Sequence, residues 1–249
     1  MQCFEQREGF FVEALGVGCL RTDFEGYPVD DGAPARCHAL VRVEQLCLSP
    51  RSQTALDLEI CPGDRIGILG GAGSGKTALL RTLARLQAPV QGGVWWNGRD
   101  VTRTARWMLG KRRAFVTLVS TNPYTSLEPW AAARRFFSPV RQSLPALFRQ
   151  GGLPPSAVDS DVRAFSGVQR LRLALLCALQ HQPRVVLVDD VFRMLVPEVW
   201  DRILAELDAW AGDTRALVLA SRFRQALRTV DVVCVLDAGR MDGSIPSIP

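Results

Sequence analysis

The chain has 249 residues, enough for one large domain or two small lobes around a buried core. Apolar residues make up 47% of it and charged ones 22%, which excludes a disordered chain, and no apolar run approaches the roughly eighteen residues a membrane span needs. The net charge of +5 comes from arginines spread along a sequence with only two lysines, Lys76 and Lys111; with no block of like charge, it reads as a compositional bias, and no nucleic-acid partner is expected.

The first residues, Met1 to Phe11, lack a basic segment followed by an uninterrupted apolar stretch, so no secretory signal is expected. The seven cysteines form no C-x-x-C pair and are expected as reduced thiols. Two histidines, His38 and His181, give no histidine-rich metal centre. Residues 1–39, with the acidic pair Asp30 and Asp31, form an extension to which no role is assigned.

The first chemical signal is Gly70-Gly71-Ala72-Gly73-Ser74-Gly75-Lys76-Thr77, which fits the phosphate-binding pattern G-x-x-x-x-G-K-[ST]. Arg65 to Leu69 before it reads as a short strand, and Ala78 to Leu86 after it as a helix. That context suits the chemistry. Glycines let successive backbone N–H groups converge on phosphate oxygens at a helix N-terminus, with Lys76 on the terminal phosphates and Thr77 on magnesium.

Further along, Arg184-Val185-Val186-Leu187-Val188-Asp189-Asp190 is an apolar run ending in two carboxylates. A run apolar at every position suits a central parallel strand. Its C-terminal end then lies where open α/β sheets bind ligands, and Asp189 is placed to hold magnesium through water, as a Walker B aspartate does. A helix is predicted from Pro197 to about Trp210, with proline at its first position and a stop at Gly212. Ala216–Ala220 and Val232–Leu236 read as two more buried strands.

Kinases, GTPases and transport ATPases all use such a loop, and one more motif separates them. Phe165-Ser166-Gly167-Val168-Gln169-Arg170 opens an apolar helix over Leu171–Leu179, 90 residues beyond Lys76, and Gln182-Pro183-Arg184 leads into the Walker B strand. Here the chain resembles the ATP-binding-cassette (ABC) ATPases, whose LSGGQ motif opens a helix shortly before Walker B. Ser166, Gly167 and Gln169 match that motif; Phe165 and Val168 depart from it.

The resemblance covers roughly residues 40–243 and implies an α/β fold, a P-loop NTPase core of the ABC type with an antiparallel β lobe and a helical lobe. After the extension 1–39, the ATP-binding domain is expected over 40–249. It divides into β lobe and nucleotide core (40–121), helical lobe (122–166), the rest of the core (167–243) and a short tail (244–249), with no regulatory domain beyond. Leu40–Leu46 and Thr54–Ile60 then read as the β lobe, and Gly92–Arg99 as a strand and turn. Thr121–Pro129 resembles the segment after the Q-loop in ATPases of oligopeptide, dipeptide and nickel importers. Trp130, Arg134, Arg135, Phe136 and Phe137 fall in the helical lobe, beside which the family receives a coupling helix of the membrane subunit; individually they read as ordinary lobe core.

Five positions depart from the family where it places ATP chemistry. The adenine-stacking aromatic aligns near Pro50, the Q-loop glutamine (a magnesium position) with Thr121, and the glutamate after Walker B with Asp190. The D-loop aspartate aligns with Val196 and the switch histidine with Arg222. Together they predict a site that holds ATP and Mg2+ but hydrolyses poorly. Because ABC ATPases pair head to tail, the resemblance implies a heterodimer in which Ser166, Gly167 and Gln169 complete the partner's site. The implied partners are a second ATPase subunit and transmembrane permease subunits, the place the inner face of the cell membrane, and the cargo peptides or metal chelates. Two other functions stand beside this one: a soluble ABC-type pseudo-ATPase serving as an interaction module, and a P-loop kinase.

Overall fold

The computed structural model describes residues 38–49, 54–105, 108–109, 115–120, 127, 131–137, 143–191 and 197–246. Alternation builds the first sheet. In β1 (Val41–Cys47), Val41 and Val43 are buried while Arg42 and Glu44 turn outward, until a bulge at Gln45 (φ 49°) shifts the register. β2 (Leu56–Ile60) repeats the pattern and pairs antiparallel with β1. β4 (Gln91–Trp96) lies on its other side, and a hairpin through Asn97 and Gly98 adds β5 (Arg99–Asp100), giving the order β2-β1-β4-β5. This is the expected antiparallel β lobe.

The second sheet has the order β10-β9-β3-β8-β7-β6. β3 (Arg65–Leu69), β6 (Val116–Ser120), β7 (Val185–Asp189), β8 (Ala216–Ser221) and β9 (Val232–Asp237) run parallel, and β10 (Arg240–Pro246) turns back antiparallel on β9. β7 and β8 are buried at every position, as strands covered on both faces must be. Their side chains divide between two cores. Val185, Leu187, Val218 and Ala220 join the β lobe and helix α1 (Lys76–Leu83); Val186, Val188, Leu217 and Leu219 join the opposite core. Each fully buried Val or Leu adds about 1.5–3 kcal/mol, so the sheet centre is the stable floor on which the loops stand.

On that opposite face pack α3 (Gly167–Leu179), through Leu171 and Leu173, and α4 (Pro197–Ala211), through Ile203 and Leu207. The helical lobe is built largely of short pieces among the described residues. It has 3-10 turns at Ala133–Phe136, Pro155–Asp159 and Val162–Ala164 and one helix, α2 (Leu144–Gln150). Phe148 of α2 is fully buried against Phe137, and Phe136 and Phe137 pack partly buried on the core. These two aromatics are therefore lobe core, and Arg134 pairs with Asp159 on the exposed side.

Three details differ from the sequence reading. The P-loop helix stops at Leu83 instead of continuing to Leu86, because Arg85 turns the chain at φ 53°. Strands β6 and β10 were not anticipated. Cys61 is disulfide-bonded, against the expectation of reduced thiols throughout. Cys47, Cys177 and Cys234 are free, and burial pushes the Cys177 and Cys234 thiols up to about 12, which makes them inert at neutral pH. No helix among the described residues is long and apolar enough to cross a membrane.

Candidate functional site

The parallel strands β3, β7 and β8 end on one edge of the sheet, and the register fixes what meets there. Leu69 stands opposite Ser221, and Asp189 opposite Ala220. Chain leaving β3 therefore enters the glycine loop beside the ends of β7 and β8. Gly70 N–H donates to the Ser221 carbonyl at 3.2 Å, and Gly239 N–H, from the β9–β10 turn, donates to the Ser74 carbonyl at 3.0 Å. The loop is thus pinned from two strands.

Glycine is required there for different reasons at different positions. A Cβ on Gly70 would lie 2.5 Å from both the Leu236 carbonyl and Ser74 Oγ. Gly73 and Gly75 take φ of 80° and 105°, which side-chain-bearing residues rarely adopt. A Cβ on Gly71 or Gly73 would meet nothing within 4 Å, so that side of the loop is open, as a backbone cradle for phosphate must be. Gly71, Ala72 and Gly73 are exposed; Ser74 and Lys76 are buried.

Lys76 folds over the loop and donates from Nζ to the carbonyls of Gly70 and Gly71, both at 2.6 Å, and to Ser74 Oγ at 3.2 Å. Burial holds its pKa below the ordinary lysine value, against the pull of Asp190 and Asp189. Thr77, at the start of α1, donates its hydroxyl to Asp189 Oδ2 at 2.9 Å. Asp189 is almost fully buried, and burial raises its carboxyl above the usual carboxylate range, opposed by the Thr77 hydrogen bond. A hydroxyl beside a carboxylate is a hard-oxygen donor set of the kind magnesium takes together with phosphate oxygens. Among the described residues no cluster of three His, Cys, Asp or Glu could hold a metal unaided. The donor set therefore fits a metal brought with a phosphate ligand, and the open glycine cradle fits that ligand.

Asp190 follows directly and differs in kind. Its backbone is left-handed (φ 46°), with its N–H donating to the Ala220 carbonyl at 2.8 Å. Its carboxylate accepts from Arg222 Nε at 3.2 Å, from Ser221 Oγ at 3.4 Å and from Arg222 N–H at 3.5 Å. The Arg222 guanidinium lies 5.9 Å over the Phe223 ring, which in turn packs 6.1 Å from Trp200. The two positions read separately from the sequence as departures are one ion pair.

Ser166, Gly167 and Gln169 form a second group at the start of α3. Ser166 Oγ accepts from Gln169 N–H, and Gln169 Oε1 accepts from Ser166 N–H, a complete capping box. Phe165 is buried in the core beneath it, while Ser166 and Gly167 are exposed. A Cβ on Gly167 would meet nothing within 4 Å. Among the described residues no hydrogen bond joins this group to the glycine loop. Pro50, Thr121 and Val196 lie outside the described residues, as do residues 1–37 of the extension and most of Thr121–Pro129. Sequence reasoning missed Ser221 and Gly239, whose backbones brace the loop; Ser221 is fully buried, and only the strand pairing reveals its place.

The family described as ABC transporter matches residues 54–193. The Nod factor export ATP-binding protein I of Cupriavidus metallidurans is 32% identical over 197 residues, covering 74% of this chain and 63% of that protein. The sulfate/thiosulfate import ATP-binding protein CysA of Caulobacter vibrioides is 35% identical over 209 residues, covering 75% and 58%. The di/tripeptide transport ATP-binding protein DppF of Pseudomonas aeruginosa is 28% identical over 204 residues, covering 76% and 63%. The chain thus spans about six tenths of the length of these curated relatives. Among solved structures, a dimeric ATP-binding cassette in a post-hydrolysis state with ADP and Pi superposes with a TM-score of 0.71 at 18% identity, covering 84% of this chain and 99% of that one. The cbiO1 protein of Clostridium perfringens gives 0.69 at 18%, covering 84% and 89%.

Proposed function

The chain belongs to the ABC transporter family, and from that membership we propose that it is the ATP-binding subunit of a membrane transporter, holding ATP and Mg2+ while hydrolysing slowly at its own site. The observation that carries this reading is the Asp190–Arg222 ion pair beside an otherwise well-formed phosphate loop. Lys76 can turn from the carbonyls of Gly70 and Gly71 to phosphate oxygens, and Thr77 and Asp189 offer oxygens to magnesium. Asp190 stands where a water-activating carboxylate is needed, but its charge is committed to Arg222.

Ser166, Gly167 and Gln169 make up the second half of the proposal. An exposed, capped helix start has free N–H groups suited to a phosphate on another subunit. We assign it to the site of a second, hydrolysing ATPase, with permease subunits in the membrane and the pair on its inner face. A peptide or metal-chelate cargo has support from the Thr121–Pro129 phrase and from the di/tripeptide relative. The other relatives carry names for different cargoes and for both import and export, so the cargo is assigned to the membrane and binding subunits.

The test is to purify the tagged chain from its native membranes and identify what comes with it. Permease chains and a second ATPase bear the proposal out. A second copy of this chain in place of another ATPase removes the heterodimer. Soluble partners alone, with no permease, favour an interaction module.

A further inference from the structure

Arg85 is a buried cation without an anion. It is 8% exposed, and among the described residues no carboxylate forms an ion pair with it. Two of its five N–H donors are used. Nη1 donates to the Gln87 carbonyl at 3.2 Å and Nη2 to the Thr104 carbonyl at 3.5 Å, both long for such bonds. Nε is buried with no partner, as only Thr229 Oγ1 is besides it among the described residues. Burial pulls the guanidinium pKa below the ordinary arginine value, and the charge of Asp100 opposes that pull; arginine is still protonated at neutral pH. The Asp100 carboxylate is itself occupied, accepting from Thr102 N–H at 2.7 Å. A buried charge is costly unless an anion answers it. The backbone adds to the cost, because Arg85 takes φ 53° just past α1, where glycine or asparagine is the ordinary choice.

The side chain lines a cleft of about 660 Å³, between the loop that joins α1 to β4 and the segment after β5, a size suited to a small molecule. Leu86 and Val90, 41% and 50% exposed, give the cleft an apolar wall, and Arg103 adds a second, exposed cation. Asp100 feels both arginines. Two cations and one anion leave a single positive charge, which one carboxylate neutralises and a phosphate dianion would exceed. We propose that this cleft is a binding site for a small organic monocarboxylate, with its carboxylate on the Arg85 guanidinium and its apolar body against Leu86 and Val90. Three donors of the guanidinium are unfilled, and the planar oxygens of a carboxylate match its fork. The site lies at the opposite end of α1 from the glycine loop and is independent of what that loop holds.

The test is binding of hexanoate to the intact chain, followed by ligand-detected NMR and by thermal melts at an ionic strength held constant with sodium chloride. Hexanoate should bind and raise the melting temperature. Hexanol, with the same apolar body and no charge, should do neither. Arg85→Gly suits the left-handed backbone and should weaken hexanoate binding by roughly tenfold or more. Its ligand-free melt should stay equal or rise, because the unanswered charge is gone. Arg85→Lys keeps the charge but loses the fork; it should also weaken binding, and it serves if the glycine variant does not fold. Lys76→Ala should leave hexanoate binding unchanged, which separates this site from the glycine loop. The proposal is overturned if the unaltered chain binds no hexanoate, or binds hexanol as well. It is also overturned if the folded Arg85 variants keep full affinity, or if Lys76→Ala abolishes binding.

Discussion

Thr77 donates its hydroxyl hydrogen to Asp189 across 2.9 Å and 112 residues of sequence. The bond joins the first turn of α1 to the end of β7, and it is made to a carboxylate that burial holds above its ordinary pKa. An acid with a raised folded pKa favours its protonated form in the fold. The stability it contributes is complete below the unfolded value and is lost as pH rises through the folded one. Asp189→Asn should therefore raise the melting temperature of the nucleotide-free protein at pH 7 by on the order of a few degrees. The advantage should shrink as pH falls toward the ordinary carboxylate value, and the same variant should weaken magnesium-dependent ATP binding. Melts across pH with and without Mg-ATP measure both effects; a variant less stable at pH 7 would contradict the sign.

Lys76→Ala removes the buried cation of the loop. A charge-assisted hydrogen bond is worth about 1.5–3 kcal/mol, so ATP affinity should fall by roughly tenfold to a hundredfold. Calorimetric titration with Mg-ATP reads this directly.

The isolated chain should turn over ATP slowly or not at all, and Asp190→Glu should not rescue it. The longer acid would still face the Arg222 guanidinium, and it would have to adopt a φ of 46° that suits Asp and Asn better than Glu. Phosphate release assays on both proteins decide this; brisk turnover by the unaltered chain would remove the slow-site reading.

At the start of α3, folding and function can be separated. Ser166→Ala loses the cap and should cost about 1 kcal/mol in stability. Gly167→Ala meets no neighbour in this chain, so it should leave the isolated protein's melt nearly unchanged. In the assembled complex, Gly167→Ala and Ser166→Glu should both depress ATP turnover, by crowding and by repelling phosphate respectively. Lys76→Ala should reduce turnover only in part. If Lys76→Ala is fatal to the complex and Ser166→Glu harmless, the roles of the two sites are reversed.

The strands most legible from their residues alone were those with no solvent face. Val185–Asp189 and Ala216–Ser221 are apolar because both sides are covered, and the glycine loop declared itself by its spacing. Val116–Ser120 escaped because it is an edge strand, half-buried at Thr117, Leu118 and Ser120 and so without a clean period. The capping box at Ser166 and Gln169 was visible as a motif, but its structural role needed the geometry. The Asp190–Arg222 pair was beyond reach, since strand register, which sequence does not carry, places position 190 beside 222.

The same ion pair also constrains how this site can change over generations. Replacing Arg222 with a neutral side chain leaves a mostly buried carboxylate without its cation, and replacing Asp190 leaves the guanidinium without its anion. Each single step passes through an unbalanced charge, whereas the two together do not. A paired replacement that removes both charges should therefore cost the fold less than the sum of the two single ones, a coupling that a double-mutant cycle read by thermal melts would measure.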